Sequence, residues 1–268
     1  MRQTKAQKAQ EELKARFAEV ARRLAAQYPG AECALEWRTN APDPAKDGWR
    51  LLIMGRLSAQ CTDARVNIVC RELFAAYPSA KAIAEAPIED LERLVHSCGF
   101  YRAKAKSIKE CCAILVEQYD GKVPADREIL LTFPGVGRKI ANLLLGDIYR
   151  VPGIVADTHL ICIGGRLGAY PTTLKDPHKV EKILDGLVEP SEQSDFCHRA
   201  VQFGRDFCQA RSPKCEACPL ADICPYANAI KLSRVKVFRI RMLPPARSIK
   251  HRTRSPLPEG GGEVARTH

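Results

Sequence analysis

Four cysteines near the C-terminal end of the chain are the residues whose type and spacing most clearly indicate chemistry. Cys208, Cys215, Cys218 and Cys224 follow the pattern C-x6-C-x2-C-x5-C within 17 residues. So short a loop cannot sensibly pair all four as disulfides, but their thiolates can converge on one metal centre. Structural zinc sites usually offer two close pairs, and here only Cys215 and Cys218 are that close. The uneven spacing favours an iron–sulfur cluster, with zinc as the alternative.

A glycine-rich turn lies between two helical patterns in the segment LTFPGVGRKI, residues 131–140. The glycines, Gly135 and Gly137, permit positive φ angles and let a phosphate group approach the backbone N–H groups on either side of Val136. The start of the following helix adds a partial positive charge. The pattern therefore predicts a sequence-independent contact with a nucleic-acid backbone. An ordinary helix–turn–helix corner is the alternative.

Lys139 and Asp157 are the candidate catalytic pair. Lys139 falls in the first turn of the helix after the glycine turn, where the positive end of the helix dipole disfavours a second positive charge and so favours a nucleophilic amine. Asp157, in VADTH (155–159), precedes another helical pattern, so we expect it to cap that helix. A cap also presents its carboxylate at the surface, which is compatible with catalysis.

The composition predicts an intracellular, all-α protein. Of the 268 residues, 46% are hydrophobic but only 6% are aromatic, and Ala, Leu, Ile and Val dominate. No apolar run reaches 18 residues, so we expect no membrane contact. The charged N-terminal segment lacks a secretion signal, so we expect a reducing, cytoplasmic location, near the nucleoid. Cysteines outside the four-cysteine loop, such as Cys33, are then expected to pack in the core, as are Cys197 and His198.

The net charge of +11 is concentrated at the two ends. Residues 1–23 carry +4 and residues 231–268 carry +8, which leaves about −1 for residues 24–230. Basic ends on a nearly neutral body are typical of arms that bind a polyanion, although solvated tails are an equal alternative. We predict that 231–268 is a disordered basic tail that adds DNA affinity. Within it, 235–242 alternates apolar and basic residues, as a short strand or a basic arm would.

Helical periodicity covers most of the chain, with few strand signals. A polar, Pro-rich loop is expected at 38–48. The predicted helices are 7–28, 49–58, 62–76, 80–85, 88–95, 101–119, 125–132, 138–149, 157–168, 177–188 and 195–206.

Five motifs occur in an order that resembles the endonuclease III family, within the helix-hairpin-helix superfamily of DNA base-excision glycosylases. They are LSAQCTD (57–63), GFYRAKA (99–105), FPGVGRKIAN (133–142), ADTH (156–159) and the four-cysteine loop (208–224). The similarity covers roughly residues 10–228. It implies an all-α, two-lobed helix-hairpin-helix DNA glycosylase fold with a 4Fe-4S cluster loop. One lobe would be a six-helix barrel (41–151), and the other a cluster domain (1–40 and 152–230).

The resemblance also implies roles for individual residues. Lys139 would be the Schiff-base nucleophile, Asp157 its carboxylate partner, and Gln60 the residue that fills the gap left by an extruded base. The four cysteines would bind the 4Fe-4S cluster. The expected DNA contacts are Gln60, Gly135, Val136, Gly137, Arg138, Arg211 and Lys214.

The implied function is that of a bifunctional DNA N-glycosylase and abasic-site lyase, acting as a monomer on double-stranded DNA with a damaged base or abasic site. It would remove oxidised pyrimidines such as thymine glycol and cut the strand by β-elimination. The alternatives are a glycosylase for ultraviolet photoproducts or mismatched bases, a non-catalytic damage-binding module, and an electron-transfer protein. Retention of Lys139 and Asp157 argues against a module that only binds.

The chain departs from the family pattern at a few positions. Phe133 stands where a leucine is usual, and Arg56 precedes LSAQ where an apolar residue is expected. After Asp157, Cys162, Gly164 and Gly165 are less standard. Two glycines inside a helix cost about 1 kcal/mol each relative to alanine, so we expect them to kink the helix and alter the lesion pocket.

Overall fold

Short α-helices joined by tight turns make up the part of the chain that the computed structural model describes, residues 4–38 and 44–232. Two single 3-10 turns, His96–Cys98 and Pro190–Glu192, accompany them, and the described residues contain no strand, so the all-α prediction is confirmed. The helices are α1 (Lys5–Gln27), α2 (Pro44–Leu57), α3 (Asp63–Ala76), α4 (Ala80–Glu85), α5 (Ile88–Val95), α6 (Tyr101–Tyr119), α7 (Arg127–Leu131), α8 (Arg138–Tyr149), α9 (Thr158–Arg166), α10 (Pro177–Asp185) and α11 (Gln193–Asp206). The described residues 225–232 are helical as well.

Side-chain caps fix where many of these helices begin. The first N–H groups of a helix lack partners within it, and a Ser, Thr or Asp side chain immediately before the helix can accept from them. The side chains that do so for α3, α4, α7, α9 and α10 are Thr62, Ser79, Asp126, Asp157 and Asp176. The predicted cap role of Asp157 is therefore confirmed.

Helix α2 begins earlier than predicted. The sequence indicated a loop at 38–48, but residues 44–48 are helical, so that part of the prediction is wrong. Pro44 occupies the first helical position, where its fixed φ suits the helix and its missing N–H costs nothing. Gly48 is buried because the side chain of Ile148 lies against it; an added Cβ would lie 2.6 Å from Ile148 Cδ1.

Two hydrophobic cores hold the helices together. The first is drawn from residues between Leu35 and Leu145, and the second from Phe17–Leu24 together with residues between Ile154 and Ala227. Helix α1 therefore buries its apolar stripe against the C-terminal helices and not against its sequence neighbours. This arrangement has the two lobes that the resemblance implies, and the chain passes between them after α1 and again at the α8–α9 connection. Leu35 and Trp37, in the segment expected to belong to the cluster domain, pack in the first core.

The described residues up to Ala229 belong to one compact unit. No helix within the described ranges is both long and apolar enough to cross a membrane. The predicted basic tail lies outside the described residues except for residues 231 and 232, as does the alternating segment 235–242.

Candidate active site

A cleft of about 1020 Å³ brings together three of the residues predicted from the sequence, Gln60, Lys139 and Asp157. Its lining comes from both lobes: from the α2–α3 turn and the start of α8 on one side, and from the start of α9 on the other. An ion pair between Asp63 of α3 and Arg205 of α11 joins the lobes along one wall. The volume of the cleft lies at the upper end of the usual 300–1,000 Å³ of small-molecule sites, so a single nucleobase would fit in it.

The start of α8 presents Lys139 to this cleft. Gly137 precedes the helix and no side chain caps it, so the first N–H groups are open to an anionic ligand. Gly135 has φ +73°, the left-handed region that glycine adopts without strain. Lys139 lies in the first turn with an exposed side chain. The geometry thus places an amine beside a turn suited to a phosphate.

Arg56 packs against the glycine turn and stabilises it, a role that the sequence did not predict. Its Nε donates to Ser107 Oγ at 2.8 Å, and Ser107 Oγ donates to the Pro134 carbonyl at 2.6 Å. An alanine Cβ at Gly135 would lie only 2.0 Å from Arg56 Nε. The unexpected arginine before LSAQ is therefore explained, since it fills the space that a glycine leaves and links α2, α6 and the turn.

Two other residues predicted to contact DNA from this turn already have partners in the protein. The side chain of Val136 is buried, and its N–H donates to the Phe133 carbonyl at 3.0 Å. Arg138 forms a two-pronged ion pair with Glu181 of α10, its Nη2 lying 2.5 Å from Oε1. Burial raises the pKa of Glu181, but the bonds from Arg138 outweigh it and the net shift is downward.

Asp157 stands at the start of α9, half-buried at the edge of the cleft. Its Oδ1 accepts from the N–H of Leu160 at 2.7 Å, which fixes the side chain in one orientation. The next residues, Thr158 and His159, also line the cleft. His159 packs against Gly204 of α11, where an added Cβ would lie 2.4 Å from its Nδ1.

Gln60 lies on an exposed turn with a positive φ of 54°. Lys104 holds this turn from inside the protein: its Nζ donates to the carbonyls of Leu57, Ala59 and Cys98 at 2.8–2.9 Å. Lys104 is only 2% exposed, and this burial lowers its pKa.

The sequence contained a signal for the burial of Lys104. It lies four, seven and eleven positions before Ile108, Cys111 and Leu115, so it falls on the buried stripe of α6. A lysine at such a position needs fixed acceptors.

The four cysteines of the C-terminal loop line one apolar pocket, together with side chains that include Ile163, Phe203 and Leu220. Four thiolates that line one pocket can hold an iron–sulfur cluster or a zinc ion.

Arg166, at the end of α9, organises this loop, and the sequence analysis did not identify it. Its guanidinium donates to the carbonyls of Cys208, Gln209 and Ala210 at 2.8–3.1 Å and lies over the ring of Tyr226. Arg211 and Lys214, the predicted DNA contacts on the loop, are exposed beyond these anchored residues.

The glycines of α9 have a packing role. The helix is continuous from Thr158 to Arg166 and contains both glycines. An added Cβ at Gly164 would lie 2.3 Å from the Tyr170 hydroxyl oxygen, which itself donates to the Ile161 carbonyl. Among the described residues that line the cleft, Cys162, Gly164 and Gly165 do not occur.

Comparisons with known families agree with this geometry. Residues 53–190 match the family described as "HhH-GPD superfamily base excision DNA repair protein". Residues 208–224, from the first cysteine of the loop to the last, match "Iron-sulfur binding domain of endonuclease III". The four-cysteine pocket is therefore the site of a 4Fe-4S cluster.

Curated relatives and solved structures extend the similarity over most of the chain. Endonuclease III of Synechocystis sp. is 42% identical over 203 residues, 75% of this chain and 88% of the relative. Endonuclease III of Escherichia coli (strain K12) is 34% identical over 200 residues, covering 73% and 94%. A non-covalent endonuclease III–DNA complex and a trapped covalent endonuclease III–DNA intermediate each align with a TM-score of 0.73 at 38% identity, covering 82% and 81% of this chain and 98% of each solved chain. The chain thus belongs to the endonuclease III family of the HhH-GPD superfamily of base excision DNA repair proteins.

Proposed function

We propose that this chain removes oxidised pyrimidines, such as thymine glycol, from duplex DNA and then cuts the strand at the abasic site. The observation that carries the proposal is the single cleft that Gln60, Lys139 and Asp157 share. An amine nucleophile, a carboxylate and a residue on an exposed turn are the three parts that base extrusion followed by lyase chemistry requires. We also propose that the chain acts as a monomer and in the cytoplasm, at the nucleoid, where its duplex DNA substrate lies.

The reaction begins with extrusion of the damaged base, since its glycosidic bond is unreachable inside the stack. Gln60, on its exposed turn, fills the space that the base leaves. The glycine turn and the open start of α8 hold a backbone phosphate, so the sugar is presented to Lys139. We assign weaker, electrostatic contacts to Arg138, Arg211 and Lys214.

Lys139 Nζ then attacks the sugar C1′, and the base leaves with the electron pair of the glycosidic bond. Asp157 stabilises the positive charge that develops on the sugar and accepts a proton from the amine. The C1′–O4′ bond of the resulting aminal then breaks, O4′ takes up a proton, and the ring-opened sugar carries an iminium between Nζ and C1′. The iminium acidifies the C2′ proton, and its removal expels the 3′ phosphate by β-elimination.

The 4Fe-4S cluster, when bound by Cys208, Cys215, Cys218 and Cys224, supplies a rigid centre for the loop that carries Arg211. Arg166 anchors the start of this loop from α9. We therefore propose that the cluster contributes to DNA positioning.

The proposal is tested by single-turnover assays on duplexes with one thymine glycol, scoring base release and strand cleavage separately. We expect both products from the wild type and a loss of about 10²- to 10⁴-fold in base release for Asp157→Asn. Asp176→Asn makes the same change at the cap of α10 and should leave the rate unchanged. Binding without base release, on this duplex and on duplexes with photoproducts or mismatches, would contradict the proposal.

A further inference from the structure

Three metal-ligating side chains outside the four-cysteine loop converge at one place in the fold. Cys33 comes from the segment after α1, Asp147 from the end of α8 and His198 from α11. One ligand atom of each lies within 4.8 Å of those of the other two. Residues so far apart in the chain meet only because the two lobes pack together, and the proposed glycosylase reaction uses none of them.

Asp147 is the member that indicates a missing partner. Its side chain is 5% exposed, and its Oδ1 lies 2.6 Å from His198 Nε2 and accepts from Ser194 Oγ at 3.2 Å. Its other oxygen, Oδ2, is buried and has no hydrogen-bond partner among the described residues. Because leaving a buried carboxylate oxygen unpaired is costly, such an oxygen commonly marks an ordered water or an ion.

The donor set indicates which ion would fit. Sulfur, imidazole nitrogen and carboxylate oxygen together are ligands that zinc prefers, and three protein ligands leave a fourth position for water. Zinc bonds of about 2.0–2.3 Å place neighbouring ligand atoms about 3.3–3.8 Å apart in a tetrahedron. The three ligand atoms lie within 4.8 Å of one another, so small side-chain movements would bring them to that spacing.

The cluster is also accessible. A groove of about 260 Å³ is lined by all three side chains. Its rim carries the carboxylates of Glu32, Glu36 and Asp195 as well as two arginines, Arg38 and Arg150, the second of which is paired with Asp195. Glu36 is also paired with Arg71, and Asp195 with Arg199, so the rim is nearly balanced in charge, and a cation can reach the three side chains through the groove.

We propose that Cys33, Asp147 and His198 form a second metal site, for a zinc-class divalent cation, distinct from the cluster loop. Binding replaces the proton on the Cys33 sulfur, which passes to solvent, and uses the Nε2 lone pair of neutral His198, with the imidazole proton on Nδ1. The site ties the segment after α1 to α8 and α11. A small cavity of about 70 Å³, lined by Cys33, His198, Lys139 and Asp157, lies between the metal site and the catalytic pair. A bound metal would therefore stabilise the residues on one side of the reaction cleft.

The test uses the full chain with its iron–sulfur cluster in place, treated with a chelator and then titrated with Zn²⁺ alone by calorimetry. We expect one zinc ion per chain, with affinity at least 10-fold weaker in Cys33→Ser and in Asp147→Asn. Cys61→Ser removes a half-buried cysteine outside the group and should bind zinc as the wild type does. Equal affinity in all four proteins, or no zinc bound by the wild type, overturns the site.

A second measurement needs no variant and so does not depend on whether the variants fold. Zinc should slow alkylation of the Cys33 thiol by iodoacetamide at least 10-fold, followed by mass spectrometry, and leave the rate at Cys61 unchanged. Alkylation of Cys33 at the same rate with and without zinc refutes the proposal.

Discussion

Replacement of Lys104 by methionine should disturb both stability and base extrusion. Methionine is unbranched and close to lysine in volume, one heavy atom shorter, and it cannot donate a hydrogen bond. The carbonyls of Leu57, Ala59 and Cys98 would therefore lose the hydrogen bonds that they now accept from the ammonium group. Since Gln60 follows Ala59 directly, its turn would lose its internal support.

The magnitude follows from these three bonds. Hydrogen bonds to a charged group contribute about 1.5–3 kcal/mol each, and an unsatisfied buried carbonyl costs about 1–3 kcal/mol. The variant no longer has to bury an ammonium group, and the Ala59 carbonyl, which is part-buried, can recover a water. We therefore expect Lys104→Met to lower the free energy of unfolding by about 2–4 kcal/mol, in total and not per bond. That corresponds to a fall in Tm of about 5–15 °C for a domain of this size.

Urea unfolding followed by circular dichroism measures the loss of stability. Single-turnover base release, at a temperature where the variant is folded, measures the effect on base extrusion. Lys106→Met is the matched control, because this lysine is on the same helix with a side chain 75% exposed. If Lys104 acts through the turn, adding Gln60→Ala to Lys104→Met should slow base release little further. Unfolding midpoints equal to those of wild type, or fully additive losses in the double variant, would refute the reasoning.

Three further substitutions test the glycine turn and its flanking ion pair by urea unfolding. Gly135→Ala should lower the free energy of unfolding by at least about 2 kcal/mol, because it forces a positive φ on alanine and a clash with Arg56. Gly137→Ala is the control and should leave the free energy of unfolding nearly unchanged, because the space around Gly137 is open. Equal losses in the two variants would contradict this account. Glu181 has a lowered pKa, so its pairing with Arg138 stabilises the fold above about pH 4.5 and is lost as the pH falls through the folded-state pKa. Glu181→Gln should thus cost about 1–2 kcal/mol at pH 6 and progressively less towards pH 3; a constant difference across that range would contradict the pairing.

Local patterns were predictable from the sequence. Helix bounds follow from periodicity and from caps such as Asp157, which act within a few residues. The four-cysteine loop was also predictable, since its ligands are confined to 17 residues. The error at the start of α2 arose because Pro44 was interpreted as a loop residue, although proline suits a first helical turn as well as a loop.

Long-range partnerships could not be predicted in the same way. Lys104 reaches three carbonyls that belong to two other segments, and Arg56 fills the space beneath a glycine that is 79 positions away in the chain. The meeting of Cys33 with Asp147 and His198 depends on how the lobes pack. A single sequence carries no periodic signal for such contacts, because they depend on tertiary distance and not on spacing along the chain.

Borohydride reduction tests the central claim most directly, that Lys139 forms a covalent intermediate with the sugar. Wild-type protein, Lys139→Ala and Lys106→Ala would each be mixed with a duplex containing one thymine glycol and reduced during turnover. We predict a covalent protein–DNA band for wild type and for Lys106→Ala, and no band for Lys139→Ala. A band of equal intensity from Lys139→Ala would show that another amine is the nucleophile and would contradict the account.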